Sequence, residues 1–195
     1  RYRALADGDL FDMEYWVLEQ AKLGKGSTAP LAGQVALVTG AGGAIGCGIC
    51  KHLVAAGAHV VLADLDAARV HQARMELDAK GKGVAAALVM DVTDEASVHA
   101  GMDDVCRFYG GLDVLVLNAG IAHVSPLLEL DAAALRKVVD VNFHGYFTVL
   151  QAAARLMKRQ GTGGNVIVNS SKNVFAPGVD FGAYSASKAA GHQLA

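Results

Sequence analysis

Tyr184 and Lys188 stand four residues apart in the stretch YSASK, with only small residues between them. On a helix this spacing is about one turn, so the phenol and the ammonium would project from the same face. A phenol beside a fixed cation is a candidate acid/base device, because the positive charge favours the phenolate. Tyr and Lys at this spacing are also common on solvated helices, so the interpretation depends on the rest of the chain.

The composition indicates one sizeable core. The 195 residues are 53% hydrophobic and 18% charged, with a formal net charge of −2 and 23 glycines. This balance gives no basic field for nucleic acid, and no apolar run reaches the about 18 residues that span a bilayer. We therefore expect a cytoplasmic protein with a small-molecule substrate and no nucleic-acid or membrane partner.

The three cysteines are too few and too uneven for a disulfide framework. Cys47 and Cys50 form C-x-x-C, which permits a redox pair, but two small apolar residues on a helix are the favoured interpretation. The seven histidines are scattered without ligand spacing, so we expect no metal site.

From Leu31 onward, short apolar runs alternate with helix-like stretches. The predicted strands are 34–39, 59–64, 83–91, 112–118 and 165–170. The predicted helices end near Ala56 and Lys80, and then cover 94–109, 131–160 (as one helix or two) and 181–195. This alternation predicts βαβ units and a buried parallel sheet with helices on both faces. That is a doubly wound, Rossmann-like α/β fold in three layers, in which ligands bind where the strands end.

The first predicted strand ends in the glycine-rich stretch TGAGGAIG, residues 39–46. Glycines at a strand-to-helix turn let the backbone approach a pyrophosphate, and the following helix presents free N–H groups to it. A literal G-x-G-x-x-G is absent, and a glycine turn without a ligand is the alternative. The strand before and the helix after favour nucleotide binding, with contacts from Gly40, Gly42, Gly43, Ala44, Ile45 and Gly46.

Asp64 ends the second predicted strand, where a carboxylate can accept hydrogen bonds from both ribose hydroxyls of NAD. It would also repel the 2′-phosphate of NADP, and no Arg follows directly, so NAD is the expected cofactor. Capping of the next helix is the alternative for Asp64, although Asp66 could cap that helix instead.

Asp91 ends the third predicted strand and could reach the adenine edge of the nucleotide. Thr93 or Asp94 could cap the following helix and so leave Asp91 free. Leu65 and Val92, which follow the two strand-end aspartates, are also predicted to contact the cofactor.

These motifs, in this order and at these intervals, resemble the classical short-chain dehydrogenase/reductase family. The resemblance covers about residues 33–195 and is carried by TGAGGAIG (39–46), Asp64, Asp91, NAG (118–120), Asn142 in VNFHGYF, Ser171 in NSSKN and YSASK (184–188). It implies NAD-dependent hydride transfer between a small hydroxyl or carbonyl compound and the nicotinamide. Ala44 for the usual middle glycine, and Leu117 for a frequent Asn, depart from the pattern.

The resemblance implies four catalytic residues. Tyr184 would take the proton of the substrate hydroxyl, and Lys188 would favour its phenolate and hold the nicotinamide ribose. Ser171 would position the substrate oxygen, and Asn142 would bind a water that links Lys188 to solvent. The cofactor would also touch Asn118, Ala119, Gly120, Tyr184 and Lys188.

Three polar residues near these motifs have less defined roles. Lys172 could bind an anionic substrate group or lie on the surface. His123 and His144 are interpreted as polar loop or helix residues rather than catalysts.

The chain stops at Ala195, whereas the family continues with another strand, a Pro-Gly cofactor loop and a substrate lid. We therefore expect residues 31–195 to be a dehydrogenase domain that is incomplete at its C-terminal end. The stretches 12–26 and 168–188 resemble fusions of a class II sugar-phosphate aldolase with a short-chain dehydrogenase. Residues 1–30 would then be a linker and the tail of the aldolase half. The implied pathway is deoxysugar breakdown, such as rhamnulose 1-phosphate cleavage followed by oxidation of lactaldehyde.

Two alternative functions belong to other classes. An epimerase or dehydratase of the same fold would show a transient rather than a net NADH signal. A non-catalytic module would bind NAD and turn nothing over. The resemblance also implies a dimer or tetramer, with the Ala-rich parts of 131–160 as the packing surface.

Overall fold

The computed structural model describes residues 29–79, 81 and 83–194. The chain divides into two units, Arg1–Pro30 and Leu31–Ala195. The predicted linker and aldolase tail fall almost wholly outside the described residues, so that assignment stays a prediction.

Five parallel strands form the sheet of the second unit. They are β1 (Val35–Thr39), β2 (His59–Asp64), β3 (Ala85–Val89), β4 (Val114–Leu117) and β5 (Asn165–Val168). Their spatial order is β3-β2-β1-β4-β5, and every neighbouring pair is parallel. The chain therefore winds outward from β1 in both directions, which confirms the predicted doubly wound fold.

Helices follow the strands as the alternation predicts. They are α1 (Ala44–Ala55), α2 (Ala67–Leu77), α3 (Glu95–Tyr109), α4 (Ala132–Val139), α5 (Gly145–Gln160) and α6 (Gly182–Leu194). The predicted region 131–160 is two helices joined by a π-helical turn, Asp140–His144, and a short 3₁₀ turn covers Lys172–Val174. None of the helices described here is both long and apolar enough to cross a bilayer.

The two faces of the sheet bury different residues, because successive strand side chains point in opposite directions. Leu37 and Val61 lie in one core with α3 and α5, whereas Val38 and Leu62 lie in the other with α1 and α2. Both faces are covered over β1, β2 and β4, which explains why these strands read as continuous apolar runs. The edge strand β5 is exposed at Val166 and Ile167.

Cys50, a residue of α1, is fully buried in the core between this helix and the sheet. Burial raises the pKa of its thiol to about 12, with the neighbouring Cys47 adding to the shift. The thiolate that redox chemistry needs is therefore scarce at neutral pH, and the packing role predicted for Cys50 is confirmed.

The predicted packing surface on α5 stays a prediction. Ala153 is wholly buried in this chain's own core, where its small size lets α5 approach the sheet. Ala152 also belongs to that core and lines an open cavity with Arg155 and His99.

The pairing register brings the ends of the central strands to one level. Thr39 pairs with Ala63 and Leu117 pairs with Val168, so Gly40, Asp64 and Asn118 all emerge at the same edge. This carboxyl edge is where the predicted motifs meet.

Candidate active site

A cavity of about 670 Å³ opens at the carboxyl edge of the sheet. It brings together eleven of the predicted site residues: Gly40, Gly43, Ala44, Ile45, Gly46, Asp64, Asn118, Ala119, Gly120, Tyr184 and Lys188. Arg69, Ile121, Ala122, Asn169 and Ser170 also line it. The cavity therefore joins the glycine loop to the Tyr–Lys pair.

The glycine loop requires glycine at two positions. Gly40 has φ +65, and a Cβ there would lie 2.8 Å from the Cα of Ala119. A Cβ on Gly46 would meet the Gly40 carbonyl oxygen and come within 2.8 Å of the Cα of Ala41. α1 thus begins directly against the loop, with no side-chain cap on its first N–H groups. Such a helix end suits an anionic group like a pyrophosphate.

Both oxygens of Asp64 accept backbone hydrogen bonds. The Gly42 N–H donates at 2.9 Å and the Asp66 N–H at 3.0 Å. Asp66 caps α2 by accepting from the Arg69 N–H, so Asp64 does not have the capping role that was its alternative assignment. Asp64 is therefore a fixed carboxylate at the cavity edge, with its remaining lone pairs available for a ligand.

Sequence reasoning missed Arg69, which lines the same cavity as Asp64. Its guanidinium lies 3.3 Å from the carboxylate of Asp66, and both groups are largely exposed. The prediction considered only residues directly after β2, whereas the first turn of α2 returns Arg69 to the loop.

Asp91 does not cap α3, because Asp94 accepts from the Ala96 N–H there, and its predicted adenine contact stays a prediction. Its Oδ1 accepts from the N–H of Thr93 at 2.8 Å and from the Thr93 hydroxyl at 2.7 Å. Asp91 and Leu65 line a separate cavity of about 680 Å³. Val92 packs against Gly145, so the structure does not bring these three residues into the main cavity.

Asn118 ties three strand ends together. Its amide donates to the carbonyls of Thr39 and Gly40 at 2.9 and 3.2 Å, and its side-chain oxygen accepts from Asn169 at 2.8 Å. The Thr39 hydroxyl in turn accepts from the N–H groups of Asn118 and Ala119, each at 3.0 Å. The side chain of Asn118 thus holds the cavity floor in place.

Asn142 is wholly buried in the π-helical turn. Its side-chain oxygen accepts from the Ile121 N–H at 2.8 Å, and its amide donates to the Ile121 carbonyl and the Ser187 hydroxyl at 2.8 and 2.9 Å. Both amide hydrogens are used by the protein. The side chain therefore joins the loop after β4 to α6, and the predicted water stays a prediction.

Tyr184 and Lys188 share one face of α6, as their spacing predicts. The ammonium nitrogen lies 6.0 Å from the centre of the Tyr184 ring. Lys188 is only 5% exposed, and its Nζ donates to the Asn169 carbonyl at 3.0 Å and to the Tyr146 hydroxyl at 2.8 Å. Burial lowers the pKa of Lys188 to about 8. Tyr146 was not predicted, although it stands one turn after Asn142.

Ser171 does not line the cavity, whereas its neighbour Ser170 does. The Ser171 hydroxyl accepts from the N–H of Asn173 at 3.2 Å and so caps the 3₁₀ turn. The Ser170 hydroxyl lies 3.4 Å from Nδ1 of His192. Ser170 therefore reaches the cavity that was expected to receive Ser171.

The remaining polar residues lie outside the cavity lining. His144 lies 3.0 Å from the carboxylate of Asp140 and is exposed, as a non-catalytic helix residue should be. Lys172 is also exposed. His123 lies in the loop after β4 and is half-buried.

Comparisons with known proteins show the family of this chain. The family model described as short chain dehydrogenase matches residues 34–195, and the chain belongs to this family. The "uncharacterized oxidoreductase YuxG" of Bacillus subtilis is 37% identical over 197 residues, which cover 100% of this chain and 29% of that protein. A galactitol 2-dehydrogenase (L-tagatose-forming) of Cereibacter sphaeroides is 39% identical, covering 84% of this chain and 63% of that protein.

Solved structures show the same fold. An NAD⁺-bound xylitol dehydrogenase superposes with a TM-score of 0.80 at 32% identity, covering 84% of this chain and 63% of that one. A short-chain dehydrogenase from Mycobacterium smegmatis gives 0.82 at 30% identity, covering 85% and 70%. The chain spans less than two thirds of the two curated relatives named above.

The buried charge of Lys188 leads to a pH-dependent stability prediction. The unfolded chain keeps this proton to higher pH than the folded chain, since the pKa falls from 10.5 to about 8 on burial. The charge therefore opposes folding below about pH 8, and its cost disappears as the pH rises from about 8 toward 10.5. We predict that Lys188→Met raises Tm near neutral pH and that this gain shrinks above about pH 8.

Thermal unfolding of both proteins between about pH 6 and about pH 10 measures the effect. Lys51→Met is the matched control, because Lys51 is exposed on α1. A gain that does not change with pH, or a lower Tm for Lys188→Met at neutral pH, contradicts the prediction.

Proposed function

We propose that the protein is an NAD-dependent dehydrogenase that moves hydride between the nicotinamide and a small sugar-derived alcohol or carbonyl compound, with Tyr184 as acid/base. The observation that carries the proposal is the buried ammonium of Lys188 on the same cavity wall as Tyr184, 6.0 Å from its ring. The glycine loop lines the same cavity, so the two motifs share one ligand space.

The chemistry of the pair follows from charge. A free phenol titrates near about 10, so a base at neutral pH needs a stabilised phenolate. The cation of Lys188 supplies that stabilisation in a partly dry site, and it stays protonated below its pKa of about 8. In alcohol oxidation Tyr184 accepts the hydroxyl proton as the carbonyl forms. NAD, when bound, accepts the hydride, so the products are the carbonyl compound and NADH.

The residues present fit a dinucleotide. The uncapped start of α1 suits the pyrophosphate, and glycine at positions 40 and 46 lets the loop backbone pack closely against Ala119 and Ala41. The fixed carboxylate of Asp64 suits the ribose hydroxyls and disfavours a 2′-phosphate. Arg69 is the opposing feature, but Asp66 pairs with its guanidinium. These observations support NAD over NADP.

Polyols are the substrate class that the relatives' names support. The galactitol dehydrogenase and the NAD⁺-bound xylitol dehydrogenase are both named for sugar alcohols. Lactaldehyde, through its hydrate, is the substrate that the fusion resemblance suggests. We propose testing both classes, with Ser170 or Ser171 as the donor to the substrate oxygen. Homo-oligomeric assembly and a cytoplasmic location also stay predictions.

We also propose that residues 1–30 belong to an upstream aldolase-like region. The alignment with the Bacillus subtilis oxidoreductase includes these residues, which the family model leaves unmatched, and it occupies 29% of that protein. The natural gene product should then be much larger than the 20.1 kDa of this sequence and should release lactaldehyde from a deoxyketose 1-phosphate. Mass spectrometry and a coupled aldolase assay test this, and a large product without aldolase activity contradicts it.

The acid/base role predicts the behaviour of Tyr184→Phe in the full-length gene product. NAD binding should persist, while kcat should fall at least about 100-fold, because proton transfer loses its acceptor. Steady-state NADH formation with galactitol, xylitol and lactaldehyde gives kcat, and calorimetry gives the Kd for NAD. Tyr109→Phe is the matched control, since its hydroxyl donates to the Gly83 carbonyl on another side of the sheet.

The outcomes separate the alternatives. Retained turnover in Tyr184→Phe contradicts the mechanism. A transient NADH signal without net reduction in the unsubstituted protein indicates an epimerase or dehydratase. NAD binding without any turnover indicates a non-catalytic module.

The fixed carboxylate of Asp64 predicts cofactor preference. Asp64→Asn should lower the ratio of kcat/KM for NAD to that for NADP by at least about tenfold, which is about 1.4 kcal/mol. The loss arises because the amide no longer repels a 2′-phosphate. Asp91→Asn removes the same charge at the end of β3 and should leave the ratio unchanged. An unchanged ratio in Asp64→Asn removes Asp64 from the ribose site.

A further inference from the structure

Tyr146 lies in the first turn of α5 and is 2% exposed. Its hydroxyl accepts from Nζ of Lys188 at 2.8 Å and donates to the carbonyl of Asn169 at 3.2 Å. Lys188 also donates to that carbonyl, at 3.0 Å. Three groups from α5, α6 and the end of β5 therefore form a closed triangle of hydrogen bonds.

Core packing alone does not explain a tyrosine at this position. The next inward residues of α5, Val149 and Ala153, are apolar members of the same core. Phenylalanine would fill the same space, whereas a buried hydroxyl without a partner costs about 1–3 kcal/mol. The Tyr146 hydroxyl is hydrogen-bonded to the Lys188 ammonium and to the Asn169 carbonyl. A tyrosine at this position is therefore explained by its contact with Lys188.

Tyr146 is a neutral partner. Burial raises the pKa of its phenol well above the ordinary range, and the nearby Tyr184 adds to the shift. It therefore keeps its proton, donates it in a hydrogen bond to Asn169 and accepts from the ammonium through its lone pairs.

The other ionisable groups of the surrounding elements face elsewhere. Asp140 and His144, before α5, pair with each other at the surface. Lys172, in the 3₁₀ turn, is exposed. His192, on α6, contacts Ser170 and Phe175. Tyr184 and Tyr146 are thus the titratable groups whose rings lie near the ammonium in the described part of the chain.

We propose that Tyr146 is a positioning residue of the active site, whose hydroxyl holds the charged Lys188 side chain beside the phenol of Tyr184. The proposal deepens the proposed function and rests on Tyr184 as the acid/base. Tyr146 does not touch the reacting atoms; it acts through the cation, by giving the buried ammonium a second oxygen.

The direction of the effect follows from hydrogen bonding to the charged form. An acceptor beside an ammonium favours the protonated state, so removing it lowers the pKa of Lys188 further. A less charged Lys188 stabilises the Tyr184 phenolate less. Oxidation would then need higher pH.

The test uses Tyr146→Phe in the full-length gene product, with Tyr109→Phe as the hydroxyl-only control. Lysine ε-carbon NMR of the protein without added cofactor follows the titration of Lys188, whose signal is assigned by its loss in Lys188→Met. We expect the Lys188 midpoint to fall by about one pH unit in Tyr146→Phe, the size expected for one hydrogen bond to a charged group. The control should keep the original midpoint.

The second readout is the pH profile of kcat/KM for polyol oxidation. Its acid limb should move to higher pH by about half a unit to one unit in Tyr146→Phe, with kcat at saturating high pH largely retained. An unchanged midpoint together with an unchanged acid limb overturns the proposal. A uniform loss of activity at every pH, with the Lys188 midpoint unchanged, also overturns it, because that pattern indicates damaged packing.

Failure of the proposed function gives a different result. If Tyr184→Phe retains turnover, the acid/base role fails, while the NMR midpoint still decides whether Tyr146 supports the charge of Lys188. If Tyr146→Phe does not fold, 3-fluorotyrosine at position 146 keeps the hydroxyl as a poorer acceptor. The Lys188 midpoint should then fall by a smaller amount, and an unchanged midpoint again overturns the proposal.

Discussion

A parallel sheet that is covered on both faces has little room for polar side chains except at its edges. In this protein the strands bury alternate residues into two separate cores, and the polar groups collect where the strands end. Thr39, Asn118 and Asn169 form a hydrogen-bonded row across three strand ends there. Because these three residues are hydrogen-bonded to one another, they hold the strand ends in fixed positions. Asn118 also contacts the glycine loop at the Gly40 carbonyl, and Asn169 accepts from Lys188.

The burial of the Lys188 ammonium is the second constraint, and it shapes the side of the cavity that Tyr184 lines. No carboxylate pairs with it among the residues described; its partners are one carbonyl and one neutral hydroxyl. A paired carboxylate would neutralise the charge of the cation. Neutral oxygens satisfy its hydrogen bonds without neutralising it, so a net positive charge remains beside the Tyr184 ring. The cost appears as a lowered pKa of Lys188, about 8. The buried charge of Lys188 therefore destabilises the folded state near neutral pH.

Much of the fold and part of the site could be predicted from sequence. All five apolar runs are strands, and β2 covers His59–Asp64, the same residues as the predicted run. The glycine loop, Asp64, Tyr184 and Lys188 line one cavity because each stands at a strand end or one turn from its partner. These features depend on how far apart residues stand along the chain, which can be read directly from the sequence. Asp91 was predicted from its position at a strand end, and Asn142 and Ser171 from the resemblance. In the structure their side chains contact Thr93, Ile121 with Ser187, and Asn173, respectively, and their roles toward cofactor and substrate stay predictions.

Local sequence patterns predict the order of strands and helices, the position of the glycine loop and the one-turn pairing of Tyr184 with Lys188. Each of these is set by residues within about a turn of one another. The oxygens that surround the ammonium are set by tertiary packing. Tyr146 is 42 residues from Lys188 and Asn169 is 19 residues from it, and they meet because α5, α6 and the end of β5 pack together. Hydrogen bonds across such separations depend on packing, so a motif could not reveal them.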